Sequence, residues 1–415
     1  MGQGRLTTAD HSNEWPAALK KIAKKSSHNT EDWQPVVIEM HVQDAKKQLD
    51  DLLEKSDIRQ VVDNYDEQYA ELIVSRHPQL YQSSLEVKRE SLKEYLEKHF
   101  AGKESWQLGS WVYYPWSGNL VHVLEKPLFL ESRTIRNKDL VNEHEQYQYA
   151  EFTVGCAGMS VGSNVALSLA LSGGSHKIKL ADGAVISASN LNRIMTGVYD
   201  VGSSKSLSVA RKLYEMNPYL EIERINEDIT AKTIAGFFEQ PWPLHAVVDE
   251  IDDLKMKILL RIEAKKRRLP VIMATDLGDD VMLDVERFDL DPKLPLFHGL
   301  VPGVEELLTK EVSKREWLKH ATTIIGPHNT PLRMQQSLLK VGTKLVTQPQ
   351  LGTTAMVAGA VAAYAIRQIA VGEKLKSGRT LISLDKHLRP DLATLSHRRT
   401  HKKHTRQLKR ALKSM

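Results

Sequence analysis

The chain has 415 residues, with 26% charged and 41% hydrophobic, an ordinary balance for a globular protein that excludes extensive disorder over most of its length. At roughly 150 residues per domain it holds two to three domains, and its single cysteine, Cys156, excludes an intramolecular disulfide and a four-cysteine zinc site while leaving histidine or carboxylate metal sites open. The net charge of +5 is uneven, because residues 386–415 carry ten Lys/Arg against Asp391 alone, or +9, which leaves −4 for the rest.

The opening MGQGRLTTADHSNEW lacks the apolar core of a secretory signal, and Gly2 alone carries little weight as a myristoylation signal. The apolar run Ala355 to Ile366 is shorter than the roughly 18 residues of a membrane span. A cytoplasmic protein with no membrane partner is expected. Residues 1–35 read as a polar, flexible lead-in with one helix around Pro16 to Lys25. From Val42 to Phe100 the pattern is helical and charged, with apolar positions at Leu49, Leu52, Leu53, Ile58, Val61 and Val62. After a turn at Ala101–Gly102, two β-rich runs, Trp111–Trp116 and Leu120–Leu124, flank Ser117-Gly118-Asn119 and read as a hairpin whose aromatic residues form its core. Residues 36–129 are thus expected to be an N-terminal α+β domain.

From Ala150 the texture changes. Phe152–Gly155, Lys177–Ala181, Ile222–Ile225, Ala246–Val248 and Val271–Ala274 are short apolar runs. Between them lie helix-period segments at Ser160–Ser172, Lys205–Met216, Thr230–Phe238 and Leu254–Lys266. This alternation predicts an α/β fold, a Rossmann-like, doubly wound, mostly parallel sheet. After Leu283 the chain is less regular, with helices expected at Leu332–Leu345 and Thr353–Val371 and a last strand at Gly378–Leu384. The expected boundaries are 130–385 for this domain and 386–415 for a basic tail. The tail has no aromatic residue to stack on a single strand. It reads either as a solvated, partly helical terminus or as a surface for nucleic acid or another polyanion.

Val154-Gly155-Cys156-Ala157-Gly158-Met159-Ser160-Val161-Gly162 ends a strand and opens a helix. Glycines there let the backbone approach a phosphate, and the helix N-terminus supplies free N–H groups. Ala157 stands where a G-x-G-x-x-G turn has its second glycine. Asp182, 27 residues after Gly155 at the end of the next strand, can accept from ribose hydroxyls. Turn and acid together point to a nucleotide without separating NAD from ATP. Downstream come Ser189-Asn190-Leu-Asn-Arg193, Gly202-Ser-Ser-Lys205 and Asp249-Glu-Ile-Asp252-Asp253. An arginine, a lysine and an acid cluster suit a transferase that handles a triphosphate: the cations neutralise charge on the α-phosphate and an aspartate can hold Mg²⁺.

These residues resemble the ThiF/MoeB/HesA family, the adenylating domain of ubiquitin-activating-type enzymes. The matches are the Gly155–Gly162 turn, Leu-Ala-Asp182-Gly, Asn190-Leu-Asn-Arg193, Gly-Ser-Ser-Lys205 and Asp252. Arg133-Thr-Ile-Arg136-Asn before the domain and Gln350-Leu-Gly352, leading into a small-residue helix with Gly359, also match. The arrangement is similar to a bacterial subgroup with an added N-terminal domain. The resemblance implies that Gly155 and Gly158 line ATP, that Asp182 holds the ribose, and that Asn190, Arg193 and Lys205 contact the phosphates. It further implies that Asp252 binds Mg²⁺ and that Arg136 reaches across a homodimer as an arginine finger. The implied reaction is attack of a carboxylate on the α-phosphate of ATP, giving an acyl-adenylate and pyrophosphate. The carboxylate would belong to a ubiquitin-like protein or a peptide.

The sequence departs from the pattern in three ways. The paired CxxC motifs of a zinc site are missing, so no zinc is expected. No cysteine beyond Cys156 can form a thioester, and Cys156, inside the turn, reads as structural. Ala157 and Ser160 replace common glycines. The first two imply chemistry that stops at the adenylate. The third admits a catalytically weakened nucleotide-binding scaffold. A tRNA-modifying member of the family and an NAD-linked oxidoreductase are the other readings.

Overall fold

The computed structural model describes residues 32–414 apart from 311, 390, 391 and 393. The helix expected around Pro16 to Lys25, and most of the lead-in, lie outside the described residues. The described chain divides into two compact units. One runs to Glu143 and takes in Tyr214–Tyr219; the other comprises His144–Leu213 and the chain from Leu220 onward.

The first unit is built on four strands, β1 (Val36–Glu39), β2 (Gln60–Asp63), β3 (Ser110–Tyr114) and β4 (Asn119–Val123), in the order β1-β3-β4-β2. β3 and β4 form the expected hairpin, with Gly118 at φ +73° in its turn. Trp111, Tyr113 and Leu120 pack with Ile38, Ala45 and Leu49 in its core. Val61 and Val62 correct the helical reading of this region. They lie in the edge strand β2, parallel to β4, where adjacent β-branched residues favour an extended backbone. The buried His122 stacks between Trp111 and Tyr65 at centroid distances of 4.3 and 4.6 Å, with Nδ1 2.8 Å from Asp63 Oδ1.

The second unit contains a seven-stranded sheet: β5 (Val154–Ala157), β6 (Lys177–Ala181), β7 (Glu221–Ile225), β8 (Ala246–Asp249), β9 (Pro270–Leu277), β10 (Asp280–Arg287) and β11 (Gly378–Ser383). Its order is β11-β10-β9-β8-β5-β6-β7. The five strands β5 to β9 are parallel, and β10 and β11 extend the sheet antiparallel. Ile234, Phe237, Ile258 and Ala264 from two crossover helices pack on Val247, Val271 and Met273. The helix Val161–Leu171, buried at nine positions out of eleven, packs against the helix Gly352–Ala370. Gly359 makes that approach possible, since a Cβ there would lie 2.5 Å from the Asn164 carbonyl oxygen. The fold is Rossmann-like, doubly wound and mostly parallel.

β10 runs past Leu283 into the stretch read as irregular. All eight of its residues are buried, including Asp284, Glu286 and Arg287. Burial of a charge requires a partner, and each has one. Asp284 meets Arg379 Nε and His298 Nε2 at 2.8 Å, Glu286 meets Arg261 at 2.5 Å and Arg287 meets Asp289 at 2.6 Å. Residues Leu395–Ser414 form a helix. Leu408 is buried, Thr405 Oγ1 accepts from Gln335 Nε2 at 2.9 Å, and His401 Nε2 lies 2.8 Å from the Thr330 carbonyl oxygen.

Lys179 in β6 is fully buried, donates to the Phe237 carbonyl at 2.8 Å and lies 6.0 Å from the Trp242 ring centroid. Burial lowers its ammonium from 10.5 to about 8. Between these values the unfolded chain binds more protons than the folded one, so stability contributed at this site rises with pH and is lowest below about 8. Lys179→Met is therefore expected to stabilise the protein at pH 7. Its advantage over wild type should shrink by about 3 kcal/mol towards pH 10.5. Chemical denaturation of both proteins across that range checks this, and a constant difference would refute it.

Candidate active site

The order of the parallel strands reverses between β5 and β8; at such a switch point open α/β sheets bind ligands in a crevice outside the carboxyl ends of the strands. Gly158, the first residue after β5, has φ +90°, and a Cβ there would run into the Glu250 carbonyl oxygen. Its N–H donates to the Ala181 carbonyl at 2.8 Å. This glycine thus lets the turn lie against the ends of β6 and β8 together. Gly155 lies within β5, where a Cβ would come 2.5 Å from Leu244 Cδ1 and 2.7 Å from Phe237 Cζ; its lack of a side chain serves packing under the sheet.

Asp182 follows β6 and is buried. Oδ2 accepts from Met159 N–H at 2.6 Å and Oδ1 from Ala184 N–H at 2.8 Å, while Lys205 Nζ lies 3.8 Å from Oδ2. The carboxylate fastens the glycine turn and keeps lone pairs for further donors. Asn190 is buried, and its Oδ1 accepts from Ser187 N–H at 3.0 Å, closing the turn that leads to Arg193. Arg193 Nε donates to Ser160 Oγ at 3.0 Å, and Nη1 donates to Ser189 O at 3.1 Å and Asn192 Oδ1 at 2.9 Å. Burial lowers its pKa, and the charges of Asp276 and Asp252 oppose that. Asp252 is exposed on the loop after β8. Its neighbour Asp253 caps the helix Leu254–Lys266 by accepting from Met256 N–H at 2.9 Å. Asp182, Arg193 and Lys205 thus lie between β6 and the start of the helix Lys205–Met216, and Asp252 on the loop after β8, with the turn after β5 joined to Asp182 and Arg193 through Met159 and Ser160. Arg136 belongs to the first unit, exposed on the turn Ile135–Asn137.

Further residues take part at the crevice. Asp276 near the end of β9 is buried, accepts from Gln350 Nε2 at 3.0 Å, and has its pKa raised by burial. Glu250 accepts from Ala274 N–H at 2.7 Å through Oε1, and burial pushes its carboxyl up to about 8. Ser160 is the acceptor for Arg193, so the departure from glycine at this position supplies a hydroxyl. Asp276 could have been found by the rule that found Asp182, an acid at the carboxyl end of a parallel strand. Cys156 is fully buried in β5, and burial raises its thiol pKa.

Mg²⁺ takes oxygen ligands and is held by one or two carboxylates with substrate phosphates. Asp252, exposed and with no hydrogen bond or ion pair among the described residues, fits that requirement. Among the described residues no group of three or more His, Cys, Asp or Glu forms a ready-made cage, and Mg²⁺ with a phosphate ligand needs none.

The pattern of the ThiF family matches residues 132–407. The chain belongs to the ThiF family. A relative from Mycobacterium tuberculosis (strain CDC 1551 / Oshkosh), Uncharacterized protein MT1398, is 34% identical over 274 residues, which are 66% of this chain and 38% of the relative. The chain therefore spans well under half of that relative's length. Among solved structures, PaaA matches at 16% identity and TM-score 0.45, covering 61% of this chain and 78% of PaaA. MccB of E. coli with ATP matches at 20% and 0.39, covering 58% and 63%. The E. coli tRNA N6-threonylcarbamoyladenosine dehydratase TcdA matches at 18% and 0.41, covering 58% and 94%. Among the described residues no helix is long and apolar enough to cross a membrane.

The glycine turn yields a direct test. At Gly202, φ is +92° and a Cβ added there would have nothing within 4 Å, so Gly202→Ala meets only the backbone penalty of about 1 kcal/mol. Gly158→Ala adds the collision with Glu250 and should cost about 3 kcal/mol or more. Equal melting temperatures for the two variants would show that the contact relaxes freely.

Proposed function

We propose that this ThiF-family chain is an ATP-dependent adenylyltransferase. The observation that carries the reading is the convergence of Asp182, Lys205, Arg193 and Asp252 at the switch point of the sheet. Asp182 orients the ribose. The first turn of the helix Val161–Leu171 offers its free N–H groups to the phosphates, and Arg193 and Lys205 neutralise the charge that builds on the α-phosphate. Asn190 holds the Arg193 loop in place. Asp252 would hold Mg²⁺, which when bound would supply positive charge beside the leaving pyrophosphate. A carboxylate oxygen of the substrate attacks the α-phosphorus. The bond from that phosphorus to the bridging oxygen of the β-phosphate breaks, and pyrophosphate leaves with the electron pair.

The substrate is the carboxylate of a peptide or of the C-terminus of a ubiquitin-like protein, and Arg136 of a second copy completes the site in a homodimer. Cys156, buried with a raised pKa, is unsuited to accept the acyl group, so the acceptor is another nucleophile.

The test is thermal stability with Mg·ATP, metal-free ATP and NAD. A ligand at 100 times its Kd should add about 2.7 kcal/mol. Mg·ATP should stabilise the wild type. Asp252→Asn should lose the metal-dependent part, and Arg193→Ala and Lys205→Ala most of the remainder. Stabilisation by NAD and not by ATP would refute the reading.

A further inference from the structure

The helix Leu395–Ser414 turns two unlike faces to its surroundings. His401, His404, Thr405, Leu408 and Ala411 are buried or half-buried. They lie on the side packed against the helices Leu332–Leu338 and Lys314–Ile325. Arg398, Arg399, Lys402, Lys403, Arg406, Lys409 and Arg410 are exposed. At 100° per residue these seven fall within an arc of about 140°, and at 1.5 Å per residue they span about 18 Å. None has an acidic partner among the described residues, and Leu395–Ser414 contains no acid. Seven like charges held on one rigid face repel one another unless an anion lies along them.

We propose that this face binds a nucleic-acid duplex through its phosphate backbone. A stripe of this length faces about five base-pair steps, each carrying two phosphates. An anionic lipid surface would attract the same charges but gain no apolar insertion from this helix, because its apolar face is already packed against the domain. A single strand would need aromatic platforms, and the exposed side has none. Lysines and arginines without base-reading partners fix orientation and carry no sequence preference. The inference is independent of the adenylation chemistry.

The experiment is fluorescence anisotropy of the full chain with labelled RNA and DNA duplexes of about 20 base pairs, oligo-dT and phosphatidylserine vesicles, between about 50 and 200 mM salt. Duplex binding should be tightest and should weaken with a log–log salt slope of about −5. Lys402→Gln, Arg406→Gln and Lys409→Gln combined should lower duplex affinity at least tenfold and make the slope shallower by about 3, with an unchanged melting temperature as the check on folding. A preference for RNA or for DNA would name the source of the duplex. No duplex binding at low salt, equal binding by the triple variant, or tighter binding to vesicles or oligo-dT would each overturn the proposal.

Discussion

A guanidinium does not shed its proton in a protein, and Arg261 is fully buried. That constraint organises the second unit. Arg261 pairs with Asp249 at the end of β8 and with Glu286 in β10, and its guanidinium lies 4.0 Å from the Phe297 ring centroid. Lys257 Nζ joins from the same helix, 3.2 Å from Asp249 Oδ1, so two cations face two anions without excess charge. Breaking such a group leaves a buried charge unpaired, at about 3–5 kcal/mol. Glu286 also accepts from Phe297 N–H at 2.6 Å, holding a turn in which Phe297 and His298 sit at φ +50° and +55°. One charge therefore ties together β8, its crossover helix, β10 and a left-handed turn. Asp249 is committed to the interior, and the residues after it, Glu250 to Asp253, are delivered to the crevice.

The sheet was legible where apolar residues make up most of the buried surface. Lys177–Ala181, Lys205–Met216 and Leu254–Lys266 have the bounds that periodicity assigns, even though Lys179 and Arg261 are buried within them. β10 was not legible, because the charges of Glu286 and Asp284 are compensated by Arg261 and Arg379, which lie elsewhere in the sequence. β2 was not, because one edge strand with adjacent valines has too few buried positions to show a period of two. At the crevice, residues within a few positions of a strand end stood out by type and spacing. Gln350, which reaches Asp276 across 74 residues, and Ser160, which reads as a helix opener, have roles fixed by tertiary contact alone.

The placement of Arg193 shows why small residues far along the chain matter to the crevice. Asn164 Nδ2 donates to the Arg193 carbonyl at 2.9 Å, and Asn164 can sit there only because Gly359 leaves room beside it. Asn192 Nδ2 donates to the Gln350 carbonyl at 2.8 Å, and Gly352 admits the Asn192 carbonyl oxygen against its own Cα. Backbone on both sides of the arginine is thus clamped by the helix Val161–Leu171 and by the start of the helix Gly352–Ala370. The side chain is fixed as well, with Nε and both hydrogens of Nη1 given to protein acceptors. Nη2 makes no hydrogen bond among the described residues. A cation positioned before any ligand arrives needs no reorganisation when negative charge develops beside it, which is the condition under which electrostatic stabilisation is strongest. Enlarging Gly352 or Gly359 would therefore act on Arg193 without touching it, through backbone displaced by a methyl group.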